Sequence, residues 1–259
     1  MRLGIRVHAD RAETALADLL PLLAAGAEER DLDGTVEYAV YLPESELPPP
    51  EAIRSLAGDA LLGTITEPVP EDWERRHLAH LRRIGVGQLT IRPPWLDGDR
   101  GDLVIDPGTT FGAGTHESTR LALELLLASE PGGALCDWGS GSGLLAVAAA
   151  RLGWEPVCAV ELEPHAAAVI AANAAANGVA VEVRTADLLT DAAPWAPTVV
   201  ANLTPALHRG VSARLQRAPE TLIASGFLAR FADDVAGLYP PLREVGRRTE
   251  GAWAAVALA

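Results

Sequence analysis

Hydrophobic and polar residues alternate over residues 2–8 (RLGIRVH), which predicts a β-strand. The period then lengthens. Leu16, Leu19, Leu20 and Leu23 fall on one stripe, which predicts a helix over about residues 10–29. Alternation returns over 35–42 (TVEYAVYL), three prolines at 48–50 precede a short helical pattern at 51–56, and 60–66 (ALLGTIT) reads as a further strand. The order is that of a small two-layer βαββαβ unit. From 67 to 83 the chain turns charged and polar, running through EDWERRHLAHLRR, and is expected to form a linker helix. His77 and His80 lie three apart there, but no third ligand accompanies them, so a solvated helix face is expected rather than a metal site.

A larger pattern occupies the rest of the chain. Two short strands at 89–92 and 103–105 precede a glycine- and threonine-rich loop and an apolar helix at 121–127. Seven strand candidates follow, at 134–138, 156–162, 181–186, 198–203, 221–225, 242–249 and 253–258. Helical patterns are expected between the first five, as a parallel sheet requires. Only a short turn at Glu250-Gly251 separates the last two, so they should form an antiparallel hairpin. The fold class is thus α/β, a Rossmann-like seven-stranded domain preceded by a small α+β domain. The expected division is a first domain over 1–66, a linker over 67–83 and the larger domain over 84–259.

The chemistry concentrates at the first of those seven strands. LCDWGSGSGLLAVAAARLGWEPVCAVELE reads as strand, glycine turn, helix and a second strand ending in an acid, the layout of a nucleoside-cofactor site. Gly139, Gly141 and Gly143 let the backbone turn sharply and approach a ligand. A dinucleotide fingerprint needs its third glycine at 144, which is Leu, so nicotinamide and flavin are disfavoured. The spacing fits S-adenosylmethionine, with Glu161 placed to accept both ribose hydroxyls.

Other candidates lie around that turn. The loop DPGTTFGAGTHEST (106–119) holds three glycines and four threonines, a backbone able to fold over a ligand and hydroxyls able to bond to it, with Phe111, Thr115 and Thr119 as candidate contacts. In VVANLTP, Asn202 stands where its amide carbonyl can accept a hydrogen bond from an attacking amine, and capping the next helix is its alternative role. Asp187 is placed either to bond an adenine amino group or to cap a helix. Thr115, His116 or a water path are the candidate proton acceptors. A structural role for His116 within its loop is the preferred alternative.

Composition narrows the partners. The 21 Lys and Arg stand against 35 Asp and Glu, a formal net charge of −14, which disfavours direct nucleic-acid binding and favours a basic partner. Cys136 and Cys158 lie in apolar strand-like runs and are expected to be reduced core residues. The N-terminal residues carry charge where a signal peptide needs an apolar stretch, and no apolar run is long enough to span a membrane, so a cytoplasmic protein is expected.

DPGTTFGAGTHEST, DWGSGSGLLAVAAA, VELEP and VVANL, in this order, resemble the PrmA family, methyltransferases of large-subunit ribosomal protein eleven. EDWERRHLAHL and EGAWAAVAL are similar as well, and the likeness runs from Glu71 onward. It implies a ferredoxin-like substrate-recognition domain and a flexible linker ahead of a class I methyltransferase domain. It also implies methyl transfer to lysine ε-amines and the N-terminal α-amine of that basic protein. The implied S-adenosylmethionine contacts are Thr119, Gly139, Glu161 and Asn202. Two positions depart from the pattern. Glu161 stands where Asp is usual, and GAGTH (112–116) stands where many members have GTGTH. A monomer is expected. The other readings are a methyltransferase of another protein or small molecule, and a non-catalytic module docking on a ribosomal protein.

Overall fold

The computed structural model describes residues 1–19, 22, 28–68, 81–108, 110 and 112–259. The chain divides into two compact units, Met1–Arg76 and His77–Ala259. Most of the expected linker helix, including His77 and His80, lies outside the described residues, as does Phe111.

The first unit is built from β1 (Arg2–His8), α1 (Ala12–Leu19), β2 (Glu28–Asp31), β3 (Thr35–Tyr41), α2 (Pro50–Ala57) and β4 (Leu61–Glu67). Its four strands form an antiparallel sheet in the order β2-β3-β1-β4. Alternation puts Leu3, Ile5 and Val7 of β1 on one face with Val36, Tyr38 and Val40 of β3, packed against Leu19, Ile53 and Ala57 from the helices. On the opposite face Glu37 is buried and bonded by Arg2 and by Arg6 Nε at 2.7 Å. Burial raises the Glu37 pKa, but the two guanidiniums outweigh it and hold the carboxyl below its ordinary range.

One expectation fails here. The helix read over 10–29 is described as α1 only to Leu19, and Glu28–Asp31 is a strand, paired with β3. Its charged residues carry no strand signal, so tertiary pairing decides. The signal that was available is Asp33-Gly34. Both adopt positive φ (39° and 86°), and Leu32 and Thr35 exchange backbone hydrogen bonds, as in a tight hairpin.

The second unit opens with a three-stranded sheet of β5 (Ile84–Val86), β6 (Leu89–Arg92) and β7 (Leu103–Val104). Then come α3 (Glu117–Ala128), β8 (Leu135–Trp138), α4 (Leu144–Leu152), β9 (Val157–Glu161), α5 (Pro164–Ala176), β10 (Glu182–Thr185), β11 (Thr198–Asn202), α6 (Pro205–Ser212), β12 (Thr221–Leu228), α7 (Ala232–Ala236), β13 (Glu244–Glu250) and β14 (Trp253–Leu258). The last seven strands form one sheet, β10-β9-β8-β11-β12-β14-β13. It is parallel from β10 to β12, with the terminal hairpin antiparallel. Apolar clusters cover both faces, one centred on α3, α4 and α5, the other on α6, α7 and Tyr239. This doubly covered sheet accounts for the near-continuous apolar runs of the central strands.

The crossover between β10 and β11 contains no helix, contrary to the pattern expected between the first five strands. Pro194 and Pro197 interrupt it, Trp138 Nε1 donates to the Pro194 carbonyl at 3.1 Å, and Ala196 fills the sheet face instead. Cys136 and Cys158 are free and stand opposite one another on β8 and β9, the first buried and the second half-buried. No helix among the described residues is long and apolar enough to cross a membrane.

Candidate active site

The carboxyl ends of β8, β9 and β11 meet at the glycine turn. Gly139 leaves β8 with φ 71°, where an added Cβ would stand 2.5 Å from Leu203 Cδ2, so the position needs both the left-handed backbone and the missing side chain. Gly143 starts α4 at φ 82°, and its Cβ would meet Ile170 at 2.9 Å. Beneath the turn, Asp137 is fully buried. Its Oδ2 accepts the Ser140 hydroxyl at 2.6 Å and the Ala146 N–H at 3.2 Å, and Oδ1 has no partner among the described residues. Burial pushes its pKa up to about 7, with Glu161 adding to the rise and the Ser140 and Ala146 bonds opposing it.

Glu161 ends β9 directly opposite. Its Oε2 accepts the Gly141 N–H and its Oε1 the Leu162 N–H, both at 2.8 Å. Oε1 also accepts the Glu163 N–H, at 3.4 Å. A carboxylate has about four lone-pair sites, so about one remains for a ribose hydroxyl after these three bonds.

The loop after β7 is pinned from both sides. Asn173 Oδ1 accepts the Asp106 N–H at 2.9 Å, and its Nδ2 donates to the carbonyls of Asp106 and Ser142 at 2.8 Å each. One turn further on, Asn177 makes the same reciprocal pair with Val104, at 2.9 and 2.7 Å. Ser142 Oγ donates to the Gly112 carbonyl at 2.8 Å, joining the loop to the glycine turn. At its far end, Arg120 bonds the Thr115 carbonyl and grips Glu250 through Nε and Nη2 at 3.0 and 2.6 Å.

His116 caps α3. Its Nδ1 accepts the Ser118 N–H at 3.2 Å, and the ring stands edge-on to Trp253 with centroids 4.5 Å apart. Burial lowers its pKa, helped by Arg120 and opposed by Glu117. The neutral ring therefore uses its basic nitrogen as a cap. Thr115 is exposed. Asp187 Oδ1 accepts the Leu189 N–H at 2.8 Å in a turn, with no helix after it, so the helix-cap alternative does not hold there.

Thr119 and Asn202, 83 residues apart, meet across α3 and β11, where Asn202 Nδ2 donates to Thr119 Oγ1 at 3.2 Å. Asn202 is not the cap of α6. Thr204 is, its side chain accepting from Leu207 N at 3.4 Å. The Asn202 Oδ1 is buried and without a hydrogen-bond partner among the described residues. A buried acceptor left unmatched costs about 1–3 kcal/mol, which an N–H donor brought to it would recover. The arrangement thus offers a backbone cradle, a carboxylate at the adjacent strand end and an unmatched carbonyl at the third. A nucleoside-bearing cofactor with an amine acceptor fits those donors and acceptors. Among the described residues no group of three or more His, Cys, Asp or Glu side chains could hold a metal.

Asn173 and Asn177 were not among the sequence candidates. Two asparagines four apart, one inside and one just past an alanine-rich helix, were the available signal, since Asn173 is a poor choice in the helix without a partner. Ser142 and Ser225 carry no comparable mark.

The model of the ribosomal protein L11 methyltransferase (PrmA) family matches residues 45–258. The chain belongs to that family. As a PrmA-family chain it is 38% identical over 267 residues to the ribosomal protein L11 methyltransferase of Pelotomaculum thermopropionicum, covering 95% of this chain and 81% of the relative. It is 30% identical over 256 residues to that of Cupriavidus necator, covering 92% and 83%. A crystal structure of a ribosomal protein L11 methylase from Lactobacillus delbrueckii subsp. bulgaricus superposes with a TM-score of 0.61 at 24% identity, over 68% of this chain and 97% of that one, a likeness of fold. In this PrmA-family chain the longer acid Glu161 folds back on Gly141 and Leu162, keeping its carboxylate at the turn.

Proposed function

We propose that this protein transfers methyl groups from S-adenosylmethionine to lysine ε-amines, and the N-terminal α-amine, of ribosomal protein L11. Family membership supports the reaction class, the cofactor and the protein substrate. The single observation that carries the acceptor assignment is the buried, unmatched Asn202 Oδ1 beside the glycine turn.

Bound at that turn, S-adenosylmethionine supplies an electrophilic methyl on a sulfonium. Glu161, with its remaining lone pair, would accept a ribose hydroxyl, and Gly139, Gly141 and Gly143 would keep side chains out of the way. Thr119 orients the Asn202 amide. Asn202 Oδ1 would accept one N–H of the incoming amine and orient the nitrogen lone pair for attack on the methyl that the cofactor would supply. A lysine amine with an ordinary pKa near 10.4 is neutral about once in 2,500 molecules at pH 7, so burial must lower that value before attack. The proton goes to water. His116, with Nδ1 committed to α3, serves the loop's architecture, and Thr115 gives its carbonyl to Arg120.

The first unit has the strand order of a ferredoxin-like fold and is assigned to substrate recognition, with residues 1–66 as that domain, 67–83 as linker and 84–259 as the methyltransferase domain. The net charge of −14 suits a basic ribosomal protein and leaves nucleic acid unfavoured. The protein works as a cytoplasmic monomer, where ribosomal proteins are made. Mass spectrometry of purified L11 incubated with the protein and S-adenosylmethionine tests the reading. Gains in steps of one methylene on lysines or the N-terminus support it, and no gain in the presence of tight cofactor binding overturns it.

A further inference from the structure

Behind Asn202 lies a fully buried polar chain that the reaction itself does not use. Ser225 ends the β11–β12 register opposite Asn202. It is a hub. Its Oγ donates to the Ser118 carbonyl at 2.8 Å, and its own carbonyl accepts the Leu203 N–H and the His208 ring, both at 2.9 Å. Ser118 and Leu203 are the chain neighbours of Thr119 and Asn202. Ser225 therefore bonds both backbone segments that carry the Asn202–Thr119 pair, the start of α3 and the end of β11. Gly226, at φ 94°, lets that backbone approach so closely that a Cβ there would stand 2.4 Å from the Leu203 carbonyl.

The tautomer of His208 follows from its partners. The Ser225 carbonyl can only accept, so Nε2 carries the proton and donates. Nδ1 is then the acceptor for the Tyr239 hydroxyl at 2.8 Å. Both His208 and Ser225 are 0% exposed, and Tyr239 is 1% exposed. Burial lowers the His208 pKa to about 4, against a smaller rise from the Ser225 bond, so this neutral donor persists throughout the physiological range. Burial likewise raises the Tyr239 pKa, keeping its hydroxyl protonated. A neutral, rigid imidazole packed between Phe227 and Tyr239 is a fixed strut. Neither end of it faces solvent, so it is not an acid or base for the reaction.

We infer that Ser225 and His208 are positioning residues for methyl transfer, fixing the spacing of Asn202 against Thr119 so that Asn202 Oδ1 points at the acceptor amine. The inference rests on the proposed role of Asn202. A misplacement of about 1 Å at such a centre costs on the order of 100-fold in rate, whereas the cofactor, held by the glycine turn and Glu161, would be little disturbed.

The test is a double-mutant cycle on the full-length protein, with kcat and KM for L11 methylation and the cofactor Kd measured for each variant. Ser225→Ala is expected to lower kcat at least tenfold while changing the cofactor Kd less than threefold. Added to Asn202→Ala, it should cause no further loss, because the group it positions is already gone. His208→Gln, which keeps a donor toward Ser225, should retain kcat within about threefold, and His208→Leu should not. If Asn202→Ala alone leaves kcat unchanged, the Asn202 role fails and this inference with it. If Asn202→Ala slows turnover but Ser225→Ala leaves kcat intact, or multiplies the loss fully in the double variant, the positioning role alone is overturned. Should Ser225→Ala fail to fold, the contrast between the two His208 variants decides, with equal kcat in both overturning the inference.

Discussion

Replacing Asn173 by Ala removes three hydrogen bonds at once: those to the Asp106 N–H, the Asp106 carbonyl and the Ser142 carbonyl, at 2.8–2.9 Å, the last buried and the others part-buried. Asn173 is 3% exposed. A net hydrogen bond contributes about 0.5–1.5 kcal/mol, and three give roughly 1.5–4.5 kcal/mol. Water entering the space vacated by the amide recovers part of that, so the expected loss is about 2–3 kcal/mol. In a unit of this size each kcal/mol shifts Tm by about 2–4 °C, which predicts a fall of about 4–12 °C. Function should suffer separately, because Ser142 lies in the glycine turn and Asp106 begins the loop that Ser142 also holds through Gly112. Calorimetric titration with S-adenosylmethionine should therefore show affinity weakened about tenfold. Asn177→Ala is the internal comparison. It removes three bonds, two at Val104 and one to the Asn173 carbonyl, none of which reaches the glycine turn, and should lower Tm similarly while changing cofactor affinity less than threefold. A Tm within 2 °C of the parent and unaltered affinity in Asn173→Ala would refute the argument that this amide locks loop to turn.

Three further outcomes are expected. Glu161→Gln places an amide where three backbone N–H donors need an acceptor, and should weaken cofactor binding about 10–100-fold in a titration, with equal affinity counting against the carboxylate's role. Gly139→Ala forces a side chain onto φ 71° and should cost about 1–3 kcal/mol in urea denaturation, the strained backbone contributing more than the contact with the movable Leu203 side chain. His208, depressed from 6.5 to about 4, contributes stability that is present above pH 6.5 and is lost as pH falls toward 4, by about 3 kcal/mol in all. Asp137, raised from 3.8 to about 7, acts in the opposite direction, its contribution being present below pH 3.8 and lost as pH rises through 7. The two overlap, so the His208 effect is read as the difference between the parent and His208→Gln across pH 4–6.5, and parallel curves would contradict it.

The larger unit was legible because its elements obey local rules. The Gly139-Gly141-Gly143 turn, the acid after the next strand and the Glu250-Gly251 hairpin all announce themselves in sequence. β2 was not legible, since EERD forms a strand only by pairing with β3, and Asp33-Gly34 was the cue that outweighed helix propensity. The missing helix between β10 and β11 follows from Pro194 and Pro197, which the expectation of regular alternation overrode. Site residues of fixed type stood out, whereas Ser225, His208 and Asn173 act through contacts spanning 17 to 107 residues, which no local pattern reports. His116 was left between a proton acceptor and a structural role in its loop, and Asp187 between an adenine contact and a helix cap, because each pair of roles uses the same side-chain atoms. Geometry places the His116 ring at the N-terminus of α3 and Asp187 in a turn with no helix to cap.

The proposed methyl transfer depends most heavily on Asn202 Oδ1 receiving the acceptor amine. Its most direct test is a mass-spectrometric time course of L11 methylation by the parent and by Asn202→Ala at saturating S-adenosylmethionine, with cofactor Kd measured in parallel. Turnover should fall at least 50-fold with Kd changed less than threefold. Unchanged turnover in Asn202→Ala would contradict it.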